Sequence, residues 1–294
     1  ERTELAGLLL SLKALGVDNV LDFDLLSPPP ETLLVLALEE LLALGALDET
    51  AALTAPLGER LALAPLGPRL AKVLLAGLDL GCAAEVLDFA APLAAARPLR
   101  RLPTPRSNAQ RDRNDAATKA FRDDLVRLEG DHATYAATLR AFLQVLDDRP
   151  GDANAFAADH GLDLDALHAA RRLRPRLEKW LAGVSADDGR GDALPPRKGD
   201  DDIADWENPT RALVAGFFAR AARFAPDATY RAIKADREIT LHPLSVHADF
   251  GTPPDYVCFC DYALDDDGKT VARHVSRVDP KWLLEAGAAY YHLH

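Results

Sequence analysis

The residues able to do chemistry in this 294-residue chain are few and mostly basic. Gly130-Asp131-His132 opens an apolar-periodic stretch through Tyr135, Leu139, Phe142 and Leu146, so Asp131 reads as an N-cap accepting a first-turn amide. His132 then belongs to an exposed first turn, where a helix N-terminus attracts phosphate. Residues 171–179 carry Arg171, Arg172, Arg174, Arg176 and Lys179 against Glu178 alone. Arg172, Arg176 and Lys179 recur at i, i+4 and i+7 beside an apolar face of Leu173, Leu177 and Trp180. Such a stripe is either a solvated basic face or a nucleic-acid contact. Lys269, Arg273 and Arg277 lie four apart and share one face if their strand runs unbroken. They make a phosphate-tracking row or a solvent-facing one.

Other patterns exclude chemistry. Cys258-x-Cys260 puts two thiols on one strand face, and core thiols are favoured over metal ligands because no third ligand is evident. His242 and His247 fall on another strand and its loop, and His242 reads as a structural hydrogen-bonding residue. Asp123-Asp124, Asp147-Asp148 and Asp187-Asp188 are sequence neighbours, which do not face each other on a helix, so no catalytic carboxylate pair arises. No G-x-x-x-x-G-K-S/T loop cradles phosphates, and no Asp-Glu pair follows a buried strand to hold magnesium. The chain contains no ATPase motor.

The elements that must position these groups fall into three regions. In residues 1–66, Leu5, Leu8, Leu9, Leu12 and Leu15 recur at helical spacing, and Gly16 and Gly45 sit where helices stop. Ser27 and Pro28-Pro29-Pro30 open a second helix, and residues 52–58 are suited to a small wing. Leu33, Leu34, Leu36, Ala37, Leu38, Leu41, Leu42 and Leu44 wrap almost fully round that second helix. A helix so apolar must be enclosed, and internal burial is favoured, leaving less apolar neighbours to form any docking face. Residues 67–184 are helical by period, with breaks at Gly81-Cys82, Pro98 to Pro105, Gly130-Asp131 and Pro150-Gly151. Residues 185–207 are acidic, rich in Gly and Pro, and read as a linker. In residues 208–294 a helix from Asn208 to Phe224 precedes β-rich runs at 230–234, 238–241, 256–264 and 270–278. Asp266-Asp267-Gly268 supplies a hairpin turn, and Pro280 starts a closing helix. The fold class is mainly α with a small β-barrel, for which an OB-fold is the candidate.

Composition bounds the remainder. Hydrophobic content of 48% with 27% charged residues indicates a globular chain. No uncharged apolar run reaches the ~18 residues of a membrane span. Three cysteines cannot make a disulfide framework, which points to a reducing compartment. There is no methionine, so the chain reads as part of a longer protein. A net charge of −12 opposes strong autonomous nucleic-acid binding. Against it stand Arg97, Arg100, Arg101, Arg106, Arg111 and Arg113, with only Asp112 among residues 97–113.

The wording of the chain resembles the region that follows the two motor domains of DEAH-box RNA helicases. Arg2-Thr3, Leu12-Lys13-Ala14-Leu15-Gly16, Asp22-Phe23-Asp24, Pro28-Pro29-Pro30 and Ala43-Leu44-Gly45-Ala46 match its winged helix in order. Leu70-Ala71-Lys72, Glu85-Val86-Leu87, Glu129-Gly130-Asp131-His132 and Ala170-Arg171 match its helical ratchet. Tyr230-Arg231, Leu241-His242-Pro243, Arg273 and Asp279-Pro280-Lys281-Trp282-Leu283 match its OB-fold, leaning to the spliceosome-associated branch. The resemblance implies a winged helix (1–66), a ratchet (67–184), a linker (185–207) and an OB-fold (208–294). It implies single-stranded RNA, the family's own RecA-like motor domains and G-patch proteins as partners, with no membrane. ATP and magnesium belong to the motor domains, and the setting is nuclear, otherwise cytoplasmic. His132, Arg171, Arg174, Lys269, Arg273 and Arg277 become the expected RNA-binding residues. Arg171 and Arg174 coincide with family arginines, and Arg273 stands where the family's OB-fold places one near the RNA path. Departures at Phe156-Ala157, Leu164-Asp165-Ala166, Pro175 and Cys260-Asp261 bear on RNA contacts by the second half of the ratchet. The alternative function is an acidic protein-interaction module that does not touch RNA.

Overall fold

A computed structural model describes residues 2–17, 19, 20, 23, 29–95, 97–102, 104–191, 193, 194, 206–249, 252–265 and 268–292. Within the first region, α1 (Arg2–Ala14) buries Leu9 and Leu12, and Gly16 ends the segment at φ +87. Helix α2 (Glu31–Ala43) follows Pro30 in the N-cap position, and α3 (Leu57–Leu63) completes the group. Ser27, Pro28, Asp22 and Asp24, named above for the turn between α1 and α2, lie outside the described residues. The wing reduces to one antiparallel bridge, Leu47 to Leu53, closed by Asp48 Oδ1 accepting from the amides of Thr50 and Ala52. Of residues 52–58, then, Leu53 pairs, while Thr54 ties the strand end to α3 by donating to Gly45 O and accepting from Gly58 N.

Full enclosure of α2 does not occur. Leu34, Ala37, Leu41 and Leu44 are buried, but Val35, Leu36 and Leu42 keep 41%, 36% and 45% of their surface exposed. The helix packs on α1 and on the closing helix (Pro280–His292), and Glu40 pairs with Arg69 of α4 (Pro68–Asp79), while Val35, Leu36 and Leu42 stay open to solvent.

The ratchet continues with α5 (Ala83–Ala94), α6 (Asn108–Asp124), α7 (Asp131–Asp148), α8 (Ala153–Asp159) and α9 (Leu164–Asp187). Helix α5 packs on α4, α7 and α9. Pro175 stands inside α9, which runs on across it, with the ring exposed. The same helix overruns the boundary at 184, and Ser185 is buried. The acidic stretch behind it falls largely outside the described residues, at 192 and 195–205. No single helix among the described residues is long and apolar enough to cross a membrane.

The last region opens with α10 (Glu207–Phe217), which stops seven residues before the end its composition suggested. Residues Ala221–Phe224 form β1 instead. Alanine and arginine favour helix locally, but here the backbone pairs on both sides, Ala222 with Ala232 and with Val257, and that pairing overrides propensity. Strands β2 (Tyr230–Ala232), β3 (Glu238–Leu241), β4 (Tyr256–Leu264) and β5 (Thr270–Arg277) close a barrel in the order β1-β2-β3-β5-β4. The short α11 (Val246–Asp249) lies between β3 and β4, and α12 (Pro280–His292) closes the chain.

Two features fuse the regions. One contiguous core holds Leu9, Leu41 and Leu44 from the first, Val73, Leu87, Leu139 and Leu177 from the ratchet, and Leu213, Phe218 and Leu283 from the last. The barrel has its own small core of Tyr230, Ile239, Val257, Phe259, Ala272 and Val275. Its wall is finished by the ratchet. Strand β3 is too short to cover β5 beyond Ala272, and there Gly130 bridges Ser276 while Arg277 N donates to Glu129 O. Gly130 adopts φ +131, and a Cβ on it would lie 2.6 Å from Ser276 Cα and 2.7 Å from Val275 O. Neither the backbone angle nor the space admits a side chain. Gly130→Ala should therefore destabilise the chain by about 3 kcal/mol, read as a lower urea midpoint with unchanged slope.

Candidate nucleic-acid interface

The seam between α7 and the barrel is where the sequence placed its first candidate, and the structure redefines it. The N-cap of α7 is Gly130, not Asp131. Asp131 occupies the first helical position with its carboxylate aimed away from its own helix. Its Oδ1 accepts from Val246 N (2.8 Å) and Ser245 Oγ (3.2 Å), and its Oδ2 from Val275 N (2.7 Å). Burial pushes this carboxyl up to about 6 against the pull of those three donors. His132 is likewise not exposed: only 2% of its surface is accessible. Its Nδ1 lies 2.7 Å from Ser276 Oγ and its Nε2 3.1 Å from Cys260 Sγ, with Phe89 edge-on at 5.3 Å. In this structure its ring reaches no solvent and serves the seam. Tyr135, one turn along α7, puts its hydroxyl 2.8 Å from His274 Nδ1.

Arg174 also turns inward. Its Nε donates to Asp88 Oδ1 (2.8 Å) and its Nη1 to Glu178 Oε2 (2.9 Å), while Arg140 Nε donates to Asp88 Oδ2 (2.6 Å). Asp88 has no accessible surface. The two guanidinium groups thus hold one carboxylate between α5, α7 and α9. Removing that carboxylate leaves two poorly solvated cations facing each other. Asp88→Ala should cost about 3–5 kcal/mol of unfolding free energy in chemical denaturation.

The remaining cations are exposed. Arg171 shares the solvent side of α9 with Arg172, Arg176 and Lys179. Lys269 precedes β5, its backbone closing the hairpin with Asp265 (2.7 Å from N to Oδ1); Asp266 and Asp267 of that turn lie outside the described residues. Arg273 is exposed and stands opposite Asp261 in the β4–β5 register. Arg277 is exposed with a loose contact to Glu129 Oε1 at 3.8 Å. A common face for all three does not form. Ala272 and Val275 both enter the barrel core although they are three apart, because His274 between them takes a left-handed backbone, φ +56. Side-chain alternation changes phase there, and Arg277 leaves the face of Arg273.

Cys258 and Cys260 are buried on the side of β4 that faces the helices, and burial pushes the Cys258 thiol up to about 12 and the Cys260 thiol up as well. Cys258 Sγ donates to Phe217 O, and Cys260 meets His132, 128 residues away and with no local signal pairing the two. Among the described residues no group of three or more His, Cys, Asp and Glu could hold a metal ion. His242 orders its own turn, Nδ1 accepting from Leu244 N at 3.1 Å. Sequence reading also missed a tripod at the junction of the three regions. Arg69 pairs with Glu40 at 2.6 Å across α4 and α2, Lys72 Nζ donates to Leu44 O at 2.7 Å, and Arg220 donates to Cys260 O. Burial draws the Lys72 ammonium down to about 8.

Comparison with known proteins fits this architecture piece by piece. The family described as "Helicase associated domain (HA2), winged-helix" matches residues 37–66, "Helicase associated domain (HA2), ratchet-like" matches 67–135, and "Oligonucleotide/oligosaccharide-binding (OB)-fold" matches 210–290. "Probable ATP-dependent RNA helicase DHX35" of Homo sapiens is 36% identical over 99% of this chain, and that of Pongo abelii 35% identical over 99%. The chain belongs to the DEAH-box RNA helicase family. It spans 37% and 36% of the length of those two relatives, and 36% of a Caenorhabditis elegans homolog to which it is 31% identical. What it supplies to such a helicase is the winged-helix, ratchet and OB-fold module.

The seam of this helicase module carries opposing proton linkages. Burial holds His274 down at about 4 and His132 and His247 below their ordinary value. Unfolded histidines protonate near 6.5, so acidification from 6.5 toward 4 favours unfolding. Asp131 acts the other way, taking its proton near 6 when folded and near 3.8 when unfolded, so the same acidification favours folding through it. Three histidines oppose one carboxyl. His274→Asn, which tolerates the left-handed backbone, should flatten the loss of thermal midpoint between pH 6.5 and pH 4 relative to the parent.

Proposed function

We propose that this chain is the C-terminal accessory module of a DEAH-box helicase, gripping single-stranded RNA beside the motor and docking regulators of the G-patch type. Arg273 carries the reading: an exposed arginine on the OB barrel of a chain whose relatives over 99% of its length are named ATP-dependent RNA helicases. Lys269, Arg171 and the basic run at 97–113 are further phosphate contacts, each worth little alone and together strongly salt-dependent. ATP and magnesium belong to motor domains, for which this chain has no phosphate-gripping loop. The regulator's place is the uncovered side of α2, where Val35, Leu36 and Leu42 offer apolar surface to an amphipathic helix.

The acidic-module alternative draws support from the same structure, since His132 and Arg174 are spoken for internally. Titration separates the two. Single-stranded RNA should bind at low salt with micromolar affinity at best, weaken steeply as salt rises, and weaken further in Arg273→Glu across all sequences. Purified chain should show no ATPase activity above buffer. A G-patch peptide should be retained by the parent and lost from Val35→Glu/Leu42→Glu. Deleting residues 1–66 is the poorer trial, because their leucines are part of the shared core. Absent RNA binding together with retained peptide establishes the protein-interaction reading instead.

A further inference from the structure

The left-handed residue in β5 is held from outside the barrel. His274 follows Arg273 directly, and its two neighbouring anchors both come from α7. The amide after it, Val275 N, finds its acceptor in Asp131 Oδ2 at 2.7 Å rather than in a strand. Its ring is met by the Tyr135 hydroxyl at 2.8 Å, four residues and one helical turn beyond Asp131. Asp131 is itself fixed, with Val246 N and Ser245 Oγ filling its other oxygen.

That conformation decides where Arg273 goes. In an unbroken strand, residues 273 and 275 share a face. Val275 has no accessible surface and lies in the barrel core, so an unbroken β5 would send the Arg273 guanidinium into that core or bring the valine out. Neither is tolerable: a buried unpaired cation and an exposed core valine are both costly. The phase change at His274 sends Arg273 outward and Val275 inward. A non-glycine residue gives up stability to sit at positive φ, and the Asp131 and Tyr135 contacts are the interactions that offset it.

We propose that Asp131 is a positioning residue for Arg273, acting through the backbone of His274, so that the ratchet sets the aim of the OB-fold's arginine. The inference rests on the RNA reading only for its functional consequence. Two measurements on the full chain test it. In the first, RNA affinity at low salt is compared with and without Arg273→Glu in four backgrounds: parent, Asp131→Ala, His274→Gly, and both together. In the parent the charge reversal should weaken binding roughly tenfold, one charged contact. In Asp131→Ala the effect should shrink below about twofold, because Arg273 no longer points at RNA. In the double variant it should return, because glycine takes positive φ without the cost that Asp131 offsets. A merely structural carboxylate would give no such rescue. In the second, backbone chemical shifts of labelled His274 should be left-handed in the parent and extended in Asp131→Ala. Asp131→Asn, which keeps one acceptor oxygen, replaces alanine if that variant does not fold. An undiminished Arg273→Glu effect in Asp131→Ala, a failure of the double variant to restore it, or a His274 that stays left-handed overturns the proposal. If Arg273→Glu changes nothing in the parent, the RNA reading is what fails, and the His274 shifts still decide the positioning.

Discussion

The carboxylate of Asp131 and the bare backbone of Gly130 form the constraint on which the rest of the molecule depends. A barrel whose β3 covers only part of β5 has unpaired backbone donors along its exposed rim, and buried donors without acceptors are expensive. The ratchet supplies what β3 cannot: a bridge at Gly130, the carbonyl of Glu129, and both oxygens of Asp131. Desolvation alone would drive so buried a carboxyl toward neutrality. Three donors converging on it keep its pKa no higher than about 6, so near neutral pH the anion is retained as an acceptor. The side-chain contacts from α7 to the barrel gather round that group: His132 between Ser276 and Cys260, and Tyr135 against His274.

A second buried carboxylate does the same within the helices. Asp88 takes an arginine on each oxygen, from α7 and from α9. Such a site adds little net stability over a well-packed apolar one, since desolvation consumes most of the attraction. Its effect is on geometry: one carboxylate ties α5, α7 and α9 together through its two arginines. This changes the reading of Arg174. Its position in the sequence matched a family arginine, and a family match alone does not distinguish a ligand contact from a structural ion pair. The donors of its guanidinium do.

Much of the architecture was legible from local signals. Helix breaks at Gly81-Cys82, Gly130-Asp131 and Pro150-Gly151 are carried by the residues themselves, and so are the limits of β3 and β4. Local signals failed where distant pairing decided the outcome. Ala221–Phe224 has helical composition and becomes a strand because β2 and β4 flank it. Asp131 has the residue type of a cap and the neighbours of one, yet Ser245, Val246 and Val275, more than a hundred residues away, claim its oxygens. The i, i+4 spacing of Lys269, Arg273 and Arg277 is real, but face-sharing assumed an unbroken strand. Nothing about His274 in isolation announces positive φ beyond a modest tolerance for it.

Charge and packing together bear on the function proposed for this module. A net charge of −12 opposes a polyanion, so the proposed contact with RNA would be confined to the few places where arginine and lysine are exposed. Sites so sparse give useful affinity only if their separations are fixed, because a flexible arrangement loses orientation for every contact it gains. The shared core from Leu9 to Leu283, the tripod of Arg69, Lys72 and Arg220, and the Asp131 seam supply that rigidity. The exposed Val35, Leu36 and Leu42 of α2 lie on the outside of that packed body, so the regulator proposed to dock there would meet a surface backed by the shared core.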